Sequence, residues 1–163
     1  MRDRVVVMGV AAAGKTAVAS AVAVRLGARF VDADDLHPPG NVAKMTGGSP
    51  LDDDDRGPWL DLVAADLAGD PPVVVACSAL RRAYRDRLRT QAGHRLWFVH
   101  LVAERALLAR RISSRPDHFM PPSLLDDQLA ILEPLEPGES GTELDASLPL
   151  VDVVAVVERS LSP

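Results

Sequence analysis

The sequence predicts an α/β fold in which a parallel sheet carries helices on both faces. Three observations point to it. Short β-branched runs alternate with stretches of helical spacing along the chain of 163 residues, the signature of strand–helix–strand units. Runs such as Val5-Val-Val and Val73-Val-Val are continuously apolar, as strands buried on both faces are. The first run ends in Gly9-Val-Ala-Ala-Ala-Gly-Lys-Thr16, a glycine-framed turn leading from a strand into a helix.

Taken in order, Arg4 to Met8 reads as the first buried strand. Lys15 to Leu26 is an alanine-rich helix stopped by Gly27. Arg29 to Asp32 is a second short strand. Asp34 to Pro58 is rich in Pro, Gly and Asp and reads as loop, with one helical turn near Asn41 to Met45. Pro58 to Leu67 has helical apolar spacing with proline in its first turn. Val73 to Cys77 is the clearest strand, Arg81 to Gln91 an arginine-rich helix, and Leu96 to Leu101 a further strand. Glu104 to Arg115 and Ser123 to Leu132 read as helices, with Ser123 and Asp126 spaced for a capping box. A loop from Glu133 to Ser140, a weak strand from Thr142 to Asp145 and a closing helix from Leu150 to Leu161 complete the chain. Ligands of such sheets sit beyond the carboxyl ends of the strands. Gly9, Asp32, Cys77-Ser78 and Leu101 should therefore face one crevice.

Composition narrows the function classes. A net charge of −5 argues against general nucleic-acid binding and against a polybasic membrane contact. No run approaches the roughly 18 apolar residues of a spanning helix. Arg2, Arg4 and the apolar run to Ala13 mimic a signal peptide, but Asp3 and Lys15 break the pattern. The single Cys77 offers no internal disulfide, which fits a cytoplasmic protein. Only Lys15 and Lys44 are lysines; every other basic side chain, histidines apart, is arginine. For Lys15 this points to a site needing a compact ammonium on a flexible stem; for Lys44 a chance leftover reads equally well.

The chemistry gathers at three places. The frame G-x-x-x-x-G-K-S/T from Gly9 to Thr16 sits between a strand and a helix, the context in which backbone N–H groups bind phosphate. There Lys15 would reach the β- and γ-phosphates and Thr16 would ligate Mg²⁺. If Ala12 takes positive φ, its methyl costs on the order of 1–2 kcal/mol. Asp32 and Asp34 lie on one side of an extended chain, suited to holding Mg²⁺ and to orienting or deprotonating a hydroxyl. Asp52 to Asp55 reads as a solvated acidic turn rather than a cation cage. Arg81, Arg82, Arg85 and Arg89 recur at helical spacing, and Arg111 and Arg115 share a helix face that could clamp phosphate. The proline-bounded segment Pro116 to Pro122 suits a closing lid. His118 within it reads equally as a substrate contact or an exposed histidine, while His94 and His100 read as structural.

These residues resemble the small P-loop gluconate kinases, the gluconokinases of thermoresistant type. Met8-Gly-Val-Ala-Ala-Ala-Gly-Lys-Thr16 is similar to their MGVSGSGKS loop. Asp32-Ala-Asp-Asp-Leu-His-Pro38 with Asn41 and Lys44-Met45 is similar to DGDxLHPxxNxxKM. Gly48 to Leu60 is similar to GxPLxDxDRxPWL, and Cys77 to Leu80 with Tyr84-Arg85 and Leu88-Arg89 to CSALKxxYRDxLR. Arg111 to Phe119, then Leu124-Leu125 and Gln128, is similar to their lid segment. Leu132-Glu-Pro-Leu135 with Glu139 is similar to the stretch on the C-terminal side of that lid. Ala11 to Ala13, Ala33, Arg81 and Asp127 depart from the family's Ser-Gly-Ser, glycine, lysine and serine.

The resemblance implies a nucleoside-monophosphate-kinase-like P-loop fold with a five-stranded parallel sheet of order 2-3-1-4-5. It implies one kinase domain over residues 1–163, with a mobile lid at about 111–127 and an acceptor-binding region at about 34–60. The implied reaction is ATP-dependent phosphorylation of D-gluconate on its 6-hydroxyl; a kinase of the same fold acting on shikimate or another sugar acid, or a catalytically silent nucleotide-binding module, are the alternatives. By the same resemblance ATP meets Gly9, Ala11, Ala12, Ala13, Gly14, Lys15, Thr16 and Ala17, with Arg111 and Arg115 from the lid. Thr16 and Asp32 serve Mg²⁺, Asp34 activates the hydroxyl, and His37, Arg56, Ser78, Arg85, His118 and Gln128 contact the acceptor. A homodimer is also implied.

Overall fold

The computed structural model describes residues 2–115 and 121–163. Its strands are β1 (Arg4–Met8), β2 (Arg29–Asp32), β3 (Val73–Ala76), β4 (Trp97–Val102) and β5 (Gly141–Asp145). They form one sheet of order β2-β3-β1-β4-β5, with every neighbouring pair parallel. The helices are α1 (Lys15–Leu26), α2 (Pro39–Thr46), α3 (Asp53–Ala68), α4 (Arg82–Ala92), α5 (Arg105–Ser113), α6 (Pro122–Ile131) and α7 (Leu150–Leu161), with a 3₁₀ turn at Ala33–Leu36. None of the described helices is long and apolar enough to cross a membrane.

The core explains the order. Val5, Val6 and Val7 of β1 and Val73, Val74 and Val75 of β3 are fully buried, each side chain contributing about 1.5–3 kcal/mol by leaving water. The edge strand β2 is only partly buried, so its short run suffices. From β1 the chain moves out to β2, back to β3, and then across β1 to β4 and β5. The strand order thus reverses beside β1, and the crevice opens at its carboxyl end. Register sets Val7 and Asp32 both opposite Ala76, and Met8 opposite His100. The expected crevice residues therefore end at one level.

Three elements differ from their sequence reading. The helical turn near Asn41 is the two-turn helix α2. The helix placed at Pro58 begins at Asp53. There Asp52 accepts from the Asp55 N–H at 2.8 Å while Asp55 accepts from the Asp52 N–H at 3.0 Å. This reciprocal cap satisfies two N–H groups and carries the helix past Pro58. The supposed acidic turn is thus a helix start. The expected Ser123–Asp126 cap is absent: α6 starts after Pro121, and Asp126 instead pairs with Arg105 at 2.7 Å.

Candidate active site

The phosphate loop is held by close packing. A Cβ on Gly9 would lie 2.9 Å from the Leu101 carbonyl oxygen, so only glycine lets the loop turn against β4. The Gly9 N–H donates to the Ser78 carbonyl at 3.3 Å. Gly14 caps α1 at φ 96 without a side-chain cap, which leaves the first-turn N–H groups for a ligand. Ala12 takes φ 64, the left-handed region where its methyl costs about 1–2 kcal/mol. Ala11, Ala12 and Ala13 thus complete the turn with backbone alone, and Ala17 is exposed in the first turn of α1.

At the mouth of this loop four side chains converge. Thr16 Oγ1 donates to Asp32 Oδ2 at 3.0 Å. Asp32 Oδ1 accepts from the Asp34 N–H at 3.0 Å, fixing the turn that presents Asp34, whose side chain is 72% exposed. Lys15 Nζ donates to the Val10 carbonyl at 3.0 Å. Burial pulls the pKa of this ammonium down; Asp34, Cys77 and Asp32 oppose that, and Arg115 adds to it. Lys15, Asp32, Asp34 and Arg115 therefore share one electrostatic site. Burial pushes the Cys77 thiol up to about 12, so no thiolate nucleophile is available here. Thr16 and Asp32 make an oxygen pair suited to a hard cation. Among the described residues no group of three acidic, histidine or cysteine side chains could hold a metal alone; Mg²⁺ would need the nucleotide's phosphates to complete its shell.

The next layer orients Asp34. His37 stacks on Trp59 with ring centroids 4.2 Å apart and 14° between planes. The Trp59 indole N–H donates to the Ala33 carbonyl at 2.7 Å, pinning the 3₁₀ turn between the two carboxylates. Asn41 Nδ2 lies 3.2 Å from His37 Nδ1 and donates to the Asp55 carbonyl at 3.0 Å. The amide orientation makes Nδ1 the acceptor, so the neutral ring carries its proton on Nε2. That nitrogen faces Asp34 Oδ1 at 3.9 Å. Burial lowers the His37 pKa, with Asp34 opposing and Arg56 reinforcing.

A cleft of about 390 Å³ is lined by Leu51, Asp52 to Asp54, Arg56, Arg81 and Ile131. Arg56 stands in the second turn of α3, where the capped helix holds it firmly. Its Nη1 donates to the Leu51 carbonyl and, at 3.3 Å, to the Tyr84 hydroxyl. Tyr84 in turn donates to Asp53 Oδ1 at 2.5 Å.

Other expected site residues sit elsewhere. Arg85 is a correction: it is fully buried, and its guanidinium binds Glu139 through Nε and Nη2, both at 2.8 Å. Its remaining donors go to the carbonyls of Ala79, Glu133 and Pro134, leaving none of its five N–H groups for an acceptor molecule. Gln128 reaches the phosphate loop instead of the cleft, accepting from the Ala11 N–H at 2.8 Å. Arg111 also meets the loop, but on its carbonyls. It donates to Ala12 at 3.2 Å and Ala13 at 3.4 Å, and its other nitrogen holds Ala146 at 2.6 Å. Ser78 is half-buried at the end of β3. His118 lies outside the described residues. Sequence reasoning gave no role to Trp59, Asn41 or Tyr84, which position Asp34 and Arg56; their places within the Asn41, Pro-Trp-Leu60 and Tyr84-Arg85 segments were the available signal.

Comparison with known proteins meets this geometry. A family model described as an AAA domain matches residues 5–135. The chain is 48% identical to a gluconokinase of Gluconobacter oxydans, covering 78% of this chain and 74% of that one. It is 41% identical to the thermoresistant gluconokinase of Escherichia coli, covering 92% and 88%. A crystal structure of a gluconokinase from Sinorhizobium meliloti superposes with a TM-score of 0.91 at 44% identity, covering 98% and 91%. Sheet order, phosphate loop and paired aspartates thus coincide with sustained identity along both chains, and the chain belongs to the gluconokinase family.

Proposed function

We propose that the protein transfers the γ-phosphoryl group of ATP to the 6-hydroxyl of D-gluconate, giving 6-phospho-D-gluconate and ADP. The observation that carries this reading is the exposed Asp34 carboxylate, set by its N–H bond to Asp32 where its charge acts on Lys15 of the phosphate loop. A nucleotide-binding module would need the loop but not that carboxylate.

The loop N–H groups and α1 bind the phosphates, and Lys15 neutralises charge on the β- and γ-phosphates. Thr16 and Asp32 would hold Mg²⁺, which would supply charge to offset that of the phosphates. Asp34 accepts the proton of the attacking hydroxyl as its oxygen bonds to the γ-phosphorus. The bond from that phosphorus to the bridging oxygen breaks, and ADP leaves with the electron pair. Neutral His37, its Nε2–H toward Asp34, orients the carboxylate or an acceptor hydroxyl. Arg115, close to Lys15, adds positive charge where the transferred group passes.

The test is ADP release by wild type and Asp34→Asn with gluconate, gulonate, shikimate or no acceptor. Wild type should turn over with gluconate. Asp34→Asn should lose at least about a hundredfold in kcat while ATP binding, read by calorimetry, stays within twofold. Release with shikimate or gulonate alone would reassign the acceptor, and unimpaired Asp34→Asn would remove the base from Asp34.

A further inference from the structure

The arginine-lined cleft holds an unusual charge arrangement. Arg56 is half-buried, yet its hydrogen bonds go to neutral oxygens, the Leu51 carbonyl and the Tyr84 hydroxyl. Among the described residues it has no carboxylate within ion-pair distance. A partly desolvated cation of this kind is completed by an anion. Arg81, at the start of α4, is the second cation of the same cleft. Among the described residues its one ion-pair partner is Asp53 at 3.9 Å, too far for a hydrogen bond, and 40% of its side chain is exposed. Asp53 is already engaged by the Tyr84 hydroxyl.

The contacts and charges also link these groups. Asp34 faces His37; the charge of Arg56 is felt at His37; Arg56 touches Tyr84; and both Arg56 and Arg81 act on the Tyr84 hydroxyl. Arg56 and Arg81 thus flank Tyr84 and Asp53 along the lining of one cleft. An extended molecule with one terminal hydroxyl at Asp34 and its chain in this cleft would have Arg56 and Arg81 as its cationic partners.

We propose that Arg81, across Tyr84 from Arg56, pairs the acceptor's carboxylate and makes the cleft selective for hydroxy acids over neutral polyols. This deepens the reading above and rests on its placement of the acceptor hydroxyl at Asp34. The planar guanidinium supplies two parallel donors to a carboxylate. The nearby Asp53 and Asp54 carboxylates, which would repel a bare anion, accept hydrogen bonds from the hydroxyls along the chain.

The experiment compares wild type, Arg81→Gln and Arg81→Lys, with gluconate as acceptor and sorbitol, its carboxylate-free counterpart, as acceptor or competitor. Arg81→Gln should raise KM for gluconate by about ten- to a hundredfold. It should leave kcat within about threefold, KM for ATP unchanged and the affinity for sorbitol as in wild type. Arg81→Lys, which keeps the charge but loses the fork, should fall between. A melting curve for each variant verifies folding, and Arg81→Lys serves alone if Arg81→Gln fails it. A change below twofold for gluconate, or an equal loss for gluconate and sorbitol, overturns the proposal. If wild type uses another hydroxy acid, the assignment of gluconate falls and the same criterion is applied to that acid. If the best acceptor carries no carboxylate, both fall.

Discussion

Ala12 holds the backbone at φ 64 with a methyl group attached, inside the loop that must approach phosphate most closely. Replacing it by glycine relieves about 1–2 kcal/mol of left-handed strain and adds roughly 0.5–1 kcal/mol of unfolded-state entropy. Ala12→Gly should therefore hold or gain up to about 1.5 kcal/mol of stability, with KM for ATP equal or lower; thermal melting and ATP-dependent kinetics check it. A fivefold rise in KM for ATP would mean that the alanine shapes the loop for its ligand. Which residues form the loop was legible from their spacing alone, as were Lys15, Thr16, Asp32 and Asp34. Why Gly9 must be glycine was not, because the obstructing atom is the carbonyl of Leu101 on another strand. Arg85 misled for a similar reason. It sits in an arginine-rich helix and shares a motif with site residues, but its partner Glu139 is 54 positions away.

That partnership decides a larger element. Glu139 has no exposed side-chain surface and receives Arg85 at 2.8 Å and Arg89 at 2.6 Å. It also accepts from the Glu136 N–H at 2.9 Å. Burial alone would raise its pKa; the hydrogen bonds from Arg85 and Arg89 outweigh that and hold it at about 2. The segment returning from α6 is clasped to α4 at a second point, where Glu133 accepts from the Arg82 N–H at 2.6 Å. The clasp thus fixes the start of α4, which carries Arg81, against the end of α6, which brings Ile131 to the cleft. Glu139→Ala leaves Arg85 buried with an uncompensated charge and should cost about 3–5 kcal/mol, measured by urea unfolding. A loss under about 1 kcal/mol would show that Arg85 is not held by this carboxylate. At this scale the sequence read the long periodic helices and the strands well, down to the weak β5. It misread α2 and the start of α3. Those segments are rich in Asp, Gly and Pro, and only the mutual capping of Asp52 and Asp55 and the contacts of Asn41 make them helical.

For the molecule as a whole, two buried histidines set how stability responds to mild acid. His37 and His100 both have pKa values lowered by burial. For His100 the hydrogen bond to Glu143 opposes the shift, and Arg85 adds to it; its Nε2 is buried without a partner among the described residues. In the unfolded chain each ring takes up a proton as pH falls through about 6.5, whereas the folded protein refuses it until lower pH. The unfolded state then binds more protons, so stability is full above about 6.5 and declines as pH falls, by at most roughly 1.4 kcal/mol per pH unit for each ring. Glu139, Asp61 and Asp126, with depressed pKa values, contribute stability that is lost only at more acid pH, as the unfolded carboxylates protonate near 4. The thermal midpoint should therefore fall between pH 7 and pH 5, and fall more steeply below as the contribution of the depressed carboxylates is lost. Replacing His37 and His100 together by glutamine should flatten the first slope and leave the second, whatever the double variant costs at neutral pH. A wild-type midpoint constant from pH 7 to pH 5 would show that both rings accept protons in the folded state, and would overturn the neutral His37 that orients Asp34.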